Sequence, residues 1–422
     1  MRLTMAERRA VTKEYATRYR KASRTEKGRM LTEFVGSTSF NRVYAAWVLR
    51  RHGLRVEVKP GVLVEVDAVV RARPPRRREY GPDVAKVLQQ VWETMDYICG
   101  KRLAAVLPEV LSRLVEWGEL RVEPDVYEKL LHASASTIDR LLAPERRKYT
   151  LKSRSRTKPG TLLKHQIPVR TFSQWDNAIA GFLEVDLVGH DGGSSAGDYC
   201  QTLDATDVAT TWSEQVAVRN KAQGYVFDAL RQVRRRLPFE LRGLDSDNGS
   251  EFINDQLTRY CSKEGITFTR SRAGRKNDNC YVEQKNWSVV RRFAGYARFE
   301  GDTACRVLNG LYGVLRDYVN YFMPTMKCVA KTRDGSRVTK HYDVPRTPYQ
   351  RVLESPHVDA AVKQQLEARY RTLNPAALHR DILRYQDALG RHVARVATSG
   401  RPRTNADNHP WKQPVSIQGA RG

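Results

Sequence analysis

The sequence lacks any uncharged apolar run near the roughly 18 residues that a bilayer span requires, so no membrane role is expected. Its opening stretch, MRLTMAERRAVTKEY, has neither an apolar core nor a small-residue cleavage site, so no secretory signal is expected there. Cysteine is sparse: six residues, at 99, 200, 261, 280, 305 and 328, with no CxxC and no paired Cys/His spacing. That pattern argues against a structural zinc site and for reduced intracellular thiols, mostly filling the core. Acid is also short. Against 73 Lys and Arg there are 47 Asp and Glu, a formal charge of +26. Such an excess repels itself unless a polyanion neutralises it. Nucleic acid is the favoured partner, ahead of an acidic membrane or a merely basic surface.

What is present is a soluble-type composition, 41% hydrophobic and 28% charged, in a chain of 422 residues. At roughly 100–200 residues per domain, that length suggests two to four domains. Residues 5 to 52 have helical periodicity. Met30, Leu31, Phe34 and Val35 fit one buried stripe, and Val43, Ala46, Trp47 and Leu49 fit another. A helix, a short turn containing Gly36, and a second helix opening with Ser39-Phe40-Asn41-Arg42 give a helix-turn-helix pattern, with a plain αα-hairpin as the alternative. Asn41, Arg42 and Arg50 are its candidate DNA contacts. A hairpin is expected around Lys59-Pro60-Gly61. The segment RARPPRRR at 71–78 then breaks structure, offering Arg76, Arg77 and Arg78 as an exposed basic arm.

Residues 81 to 143 are helical again. A turn-like SAS separates two short helices, Ser136-Thr137 is a candidate cap, and Thr137, Asp139 and Arg140 are candidate exposed residues. This region reads equally as a second helix-turn-helix or a helical spacer. From 146 to 175 there are nine Lys/Arg and no acid. That is a solvated linker, or one that tracks DNA through Arg154, Arg156 and Lys158, since each phosphate contact releases counterions.

From 181 the texture becomes that of a mixed sheet. GFLEVDLVGH, DYCQTLDATD and TTWSEQVAV read as strands. KAQGYVFDALRQVRRRLP reads as a helix with Tyr225, Val226, Ala229, Leu230, Val233 and Leu237 on one face. FELRGLDSD and ITFTRSR are further strands, each followed by a helix. The order βββ-α-β-α-β-α implies a mixed sheet flanked by helices, and it is also the order of the ribonuclease H-like fold. Leu308, Leu311, Tyr312, Leu315, Val319 and Phe322 stripe one more helix, a small hairpin is expected after it, and 357 to 396 is helical. The tail from about 397 is polar, rich in Pro and Gly, and expected to be disordered.

An acid inside an apolar strand is costly unless it is paired or binds a cation. Asp186 is such an acid, midway along FLEVDLV, with Glu184 on the same face by period two. Asp247 ends the fourth strand beside Asn248-Gly249. Glu283 opens a helix in DNCYVEQKN, with 35 residues between it and Asp247. A strand-centre Asp, a strand-end Asp and a Glu after 35 residues resemble the DDE signature of retroviral-type integrases and insertion-sequence transposases. SDNGSEF, DNCYVEQKNWSVVRR and GFLEVDLVGH resemble the local context of that family. The strong resemblance covers roughly 175–300 and is more diffuse before it. Nearby acids read differently. Asp245 is a supporting or solvated group, Glu251 an exposed or capping acid, and Asp204 and Asp207 turn acids. His190 reads as a loop residue that could touch the site.

The resemblance implies a metal-dependent polynucleotidyl transferase, the transposase of an insertion sequence, acting on the double-stranded DNA of element ends and target. Asp186, Asp247 and Glu283 would hold two Mg²⁺ ions, with Mn²⁺ able to substitute. It also implies a homo-oligomer in a synaptic complex, with or without a helper protein, and a cytoplasmic, nucleoid-associated location. The fold class expected is a multidomain α+β and α/β chain. It has a helix-turn-helix region at 1–70, a second helical region at 80–145 and a basic linker at 146–175. A ribonuclease H-like mixed-sheet catalytic core follows at 176–305, then a C-terminal helical and small β region at 306–396 and a tail at 397–422. Two departures stand out. Many relatives carry Lys or Arg one or two turns after the glutamate to grip DNA phosphate, whereas here those positions are Trp287 and Val290, and Lys285, Arg291 and Arg292 are the candidate DNA contacts. Of the nearby Lys285, Arg291 and Arg292, only Arg291 falls within about 80° of Glu283 on an ideal helix. The retroviral His-His-Cys-Cys element is also missing, its place taken by the helix-turn-helix. The alternatives are a ribonuclease H-like nuclease without strand transfer, and a non-catalytic, transposase-derived DNA-binding regulator.

Overall fold

The computed structural model describes residues 3–59, 62–65, 79–148, 179–246, 252, 255–270 and 280–394. The chain divides into two units, Met1–Glu79 and Tyr80–Gly422. In the first, α1 (Met5–Lys21) and α2 (Arg24–Thr38) each open with a capping box, Thr4 with Glu7 and Ser23 with Glu26. Each box satisfies backbone N–H groups that the first turn leaves without acceptors. Helix α2 ends at Ser39, which takes a left-handed φ of 57°, and α3 (Arg42–Arg51) begins under the Asn41 cap. The turn therefore lies at 39–41, and Gly36, expected within it, is helical. Ala16, Tyr19, Leu31, Phe34, Ala45, Ala46 and Leu49 form the core of this unit. Val43 and Trp47, expected in that core, are 80% and 43% exposed. Strands β1 (Arg55–Lys59) and β2 (Val62–Glu65) pair antiparallel, as the hairpin reading expects.

The second unit opens with α4 (Pro82–Thr94), α5 (Gly100–Glu116), α6 (Pro124–Leu131), α7 (Ala135–Leu141) and α8 (Ala143–Lys148). Ser134, not Ser136 or Thr137, caps α7, accepting from the Thr137 N–H. The sheet is built from β3 (Phe182–Gly189), β4 (Gln201–Asp207), β5 (Ser213–Val218), β6 (Gly243–Ser246) and β7 (Thr267–Arg270). Helices α9 (Gln223–Arg236) and α10 (Asp255–Lys263) lie between the later strands in sequence. Strand order is β5-β4-β3-β6-β7, with β5-β4-β3 antiparallel and β3-β6-β7 parallel. This is a mixed five-stranded sheet, with its elements in the order expected from sequence.

After β7 come α11 (Cys280–Lys285), a π-helical turn at Asn286–Arg291, and α12 (Arg292–Ala294). Then follow α13 (Gly301–Phe322), the antiparallel hairpin β8 (Cys328–Asp334) and β9 (Arg337–Tyr342), α14 (Pro348–Glu354), α15 (Ala360–Arg371) and α16 (Pro375–Gly390). The stripe on α13 is buried as predicted. Two cores hold this unit together. One lies between the sheet and α9/α10, built on Leu183, Val185, Leu203, Val216, Leu230, Leu244 and Leu257. The other joins α4–α7 to α13–α16, so the regions read from sequence as 80–145 and 306–396 share one apolar core. Tyr225, expected on the buried face of α9, is exposed.

A strand turns alternate side chains to opposite faces. Leu183 and Val185 of β3 enter the α9/α10 core, so Glu184 and Asp186 share the other face. That face is lined with polar groups along the neighbouring strands, because the ladders put Asp204 opposite Asp186 and Asp245 opposite Glu184. Helix α11 and the π-helical turn pack over β3 and β4.

Candidate active site

Glu184, Asp204 and Asp245 are essentially without solvent exposure, whereas Asp186 is half-buried. Burying a carboxylate is costly unless it is hydrogen-bonded, and each of the three has partners. Glu184 Oε2 accepts from the backbone N–H groups of Tyr281 (2.8 Å) and Val282 (3.1 Å). Asp245 accepts a 2.6 Å bond from the Thr269 hydroxyl on β7, so it is neither solvated nor a loop acid. Asp204 Oδ1 accepts from Gln215 Nε2 at 2.9 Å, while its Oδ2 has no hydrogen-bond partner. Burial pushes the Asp204 carboxyl up to about 7, opposed by Gln215 and the Lys285 charge. Asp204 is thus a buried mid-strand acid rather than a turn acid. Asp207, which accepts from the Gly181 and Thr210 N–H groups, does serve the turn.

Asp186 Oδ1 accepts from the Leu187 N–H at 2.8 Å, and its Oδ2 accepts from Asn286 Nδ2 at 2.6 Å. Glu283 lies between the two points where β3 grips the helix, at 281–282 and at 286, and its side chain is exposed. Asp247 lies outside the described residues. Among the described residues no group of three or more His, Cys, Asp or Glu is placed to hold a metal ion.

The flanking basic residues divide sharply. Lys285, two residues past Glu283, is buried, and burial lowers its ammonium to about 8 despite the Asp204 charge. Arg292 forms an ion pair with Asp96 in the α4–α5 connection and is held there. Arg291 stacks 5.0 Å from the Tyr296 ring centroid. Burial lowers its pKa, and Tyr296, Asp191 and Asp186 act against that. The π-helical turn begins only after Lys285, so the ideal-helix wheel holds as far as Lys285 and its period changes before Arg291 and Arg292. His190 lies just past the end of β3, as read from sequence, but it is not solvated. It is fully buried, its Nε2 2.8 Å from the Thr202 hydroxyl, and burial lowers its pKa to about 3, so it stays neutral.

The remaining candidates are scattered. Asn41 is occupied as the α3 cap, and Arg42 donates to the Thr32 hydroxyl at 2.9 Å. Arg50 is exposed, lining a cleft with Tyr19, Arg20, Arg24 and Lys27. Thr137, expected to be exposed, is buried, while Arg140 is exposed and donates to its hydroxyl. Asp139 is taken up by the Gly100 N–H and Arg146. Arg76, Arg77, Arg78, Arg154, Arg156, Lys158 and Glu251 lie outside the described residues. Sequence reading placed Glu184 beside Asp186 by period two without assigning it a task; the register and the helix above supply one. Among the described residues, no helix is long and apolar enough to cross a membrane.

No protein-family profile matches this chain. The curated protein y4rM of Sinorhizobium fredii (strain NBRC 101917 / NGR234), which is uncharacterized, is 40% identical to it over 354 residues. That alignment spans 83% of this chain and 96% of the relative. The chain belongs to the y4rM family. Among solved structures, the catalytic core domain of BIV integrase has a TM-score of 0.29 at 19% identity, covering 42% of this chain and 96% of that one. The HTLV-2 integrase catalytic core domain in complex with magnesium, in its dimeric form, has a TM-score of 0.28 at 12% identity, covering 36% and 93%. At these scores the likenesses add nothing to what the sheet itself shows of this y4rM-family chain.

Proposed function

We propose that this y4rM-family chain is a metal-dependent DNA-cleaving and DNA-joining enzyme. It would be the transposase of an insertion sequence, with a ribonuclease H-like core and Asp186, Asp247 and Glu283 as its acidic set. One observation carries this reading: the strand bearing Asp186 is bonded directly both to the helix bearing Glu283 and to the strand that leads into Asp247. Ser246 pairs with Val185, one residue before Asp186, and Asp247 is the next residue after Ser246. Helix α11 is gripped from β3 on either side of Glu283.

The residues suit a hard divalent cation. Asp186 and Glu283 are both reached by solvent and offer oxygen donors, which Mg²⁺ and Mn²⁺ prefer. The nearby imidazole of His190 is turned inward onto Thr202 and does not compete. Asp186, Asp247 and Glu283 would hold the pair, which when bound activates an attacking water or 3′-hydroxyl and neutralises the leaving oxygen. The chain supplies the rest. The sheet fixes Asp186, the helix fixes Glu283, and the +26 charge draws the polyanionic substrate in. The N-terminal trihelical unit, with Arg50 exposed on it, is the proposed reader of element ends. Synapsis of two ends calls for a homo-oligomer, with or without a helper protein.

The test is a strand-transfer assay with pre-cut element ends, a target duplex and Mg²⁺. Joined product supports the transposase, hydrolysis alone supports a plain nuclease, and binding with neither supports a non-catalytic regulator.

A further inference from the structure

Helix α11 begins at Cys280, so the N–H groups of Tyr281 and Val282 fall in its first turn, where no helical acceptor exists. Glu184 supplies the missing acceptor, with a single oxygen taking both N–H groups, at 2.8 and 3.1 Å. Its side chain reaches from the middle of β3 and is about 1% exposed. A carboxylate at a helix N-terminus is also favoured by the helix dipole. The contact bridges 97 and 98 positions of sequence, so it is a tertiary tie rather than a local cap. It acts on the residues immediately before Glu283.

We propose that Glu184 is a positioning residue for Glu283: it anchors the first turn of α11 to the same strand that carries Asp186, and so fixes the separation of the two carboxylates. This rests on the metal-dependent reading above. Glu184 is not itself a ligand, because its bonded oxygen is occupied and its side chain is buried. The geometry assigns it one task that a ligand could not perform. It sets helix α11 in register with β3 before any cation arrives. Asn286, donating to Asp186 at 2.6 Å, holds the other end of the same segment.

The experiment uses the full chain and three forms: unmodified, Glu184→Gln and Glu184→Ala. The first readout needs no catalysis. Hydrogen exchange at the Tyr281 and Val282 amides is slow in the unmodified chain, faster in Glu184→Gln, whose neutral oxygen still accepts, and fastest in Glu184→Ala. The second readout is the Mg²⁺ concentration giving half-maximal cleavage of end DNA. It rises about 10–100-fold in Glu184→Ala, the range typical of groups that orient metal ligands, while DNA affinity is unchanged. Equal exchange in all three forms overturns the proposal, as does an unshifted Mg²⁺ midpoint in an active Glu184→Ala. If Glu184→Ala does not fold, Glu184→Gln alone decides by the same two measures. An unmodified chain that shows no Mg²⁺-dependent cleavage overturns the catalytic reading instead, and the exchange result still decides whether Glu184 sets the helix.

Discussion

Asn286 donates a 2.6 Å hydrogen bond to Asp186 Oδ2 across 100 positions of sequence. The donor stands at the first position of a π-helical turn, and the acceptor sits on the polar face of the central strand. Asp186 is half-buried, so water can replace part of what Asn286 provides. Asn286→Ala is therefore expected to cost only about 1–2 kcal/mol of stability. Its effect on activity is expected to be larger, because an orienting partner of a proposed metal ligand is lost, and a 10–100-fold fall is the typical scale. Thermal unfolding and Mg²⁺-dependent cleavage measured on the same preparation separate the two effects.

Lys285 is buried beside Asp204 and so is withdrawn from the proposed DNA contacts. Lys285→Met should leave the salt dependence of DNA binding unchanged, since the slope of affinity against salt counts phosphate contacts. Arg50→Ala, at an exposed position, should lower that slope. Binding titrations at several salt concentrations check both. A reduced slope in Lys285→Met would return Lys285 to the DNA surface.

His190 makes stability depend on acid. Its folded pKa, about 3, lies below the ordinary value of 6.5, so the unfolded chain binds the extra proton first. The contribution is complete above pH 6.5 and is lost progressively as the pH falls from there toward 3. At pH 5 the loss is about 2 kcal/mol, from 1.36 kcal/mol per pH unit. Asp204, raised to about 7, acts in the opposite direction, so the comparison must be made against His190→Gln, which shares it. Denaturant unfolding at pH 7 and pH 5 should show the smaller drop in His190→Gln.

Glu214 on β5 is fully buried, taking a 2.7 Å bond from Arg316 Nε on α13 and a 2.9 Å bond from Trp212 Nε1. Arg316→Met would strand that carboxylate without its cation. A loss of about 3–5 kcal/mol is expected for breaking a buried pair from one side. Arg384→Ala, which removes an exposed pair with Asp381, should cost about 0–1 kcal/mol. Paired unfolding curves measure the contrast.

How far the sequence could be read depended on period. The α13 stripe and the strands of the sheet were legible because 3.6-residue and two-residue patterns persist over many positions. Helix α3 was not, since Val43 through Leu49 is apolar on every side and no wheel can choose its buried face. The π-helical turn was invisible for a different reason, its period departing from the 3.6 residues assumed. Asp186 stood out in the sequence as an acid inside an apolar strand, and Glu283 by its spacing from Asp247. The tasks of Glu184, Asp204 and Asp245 were not, because their partners Tyr281, Gln215 and Thr269 are brought to them by strand register and helix packing.

The central claim concerns three carboxylates acting as one metal-holding set. The most direct measurement is Mg²⁺-dependent nicking of element-end DNA by the unmodified chain and by Asp186→Asn, Asp247→Asn and Glu283→Gln, each first shown to be folded and to bind the same DNA. The account predicts nicking only with Mg²⁺ or Mn²⁺, and its loss in all three variants with binding retained. Nicking by Glu283→Gln or Asp247→Asn at the unmodified rate would contradict it.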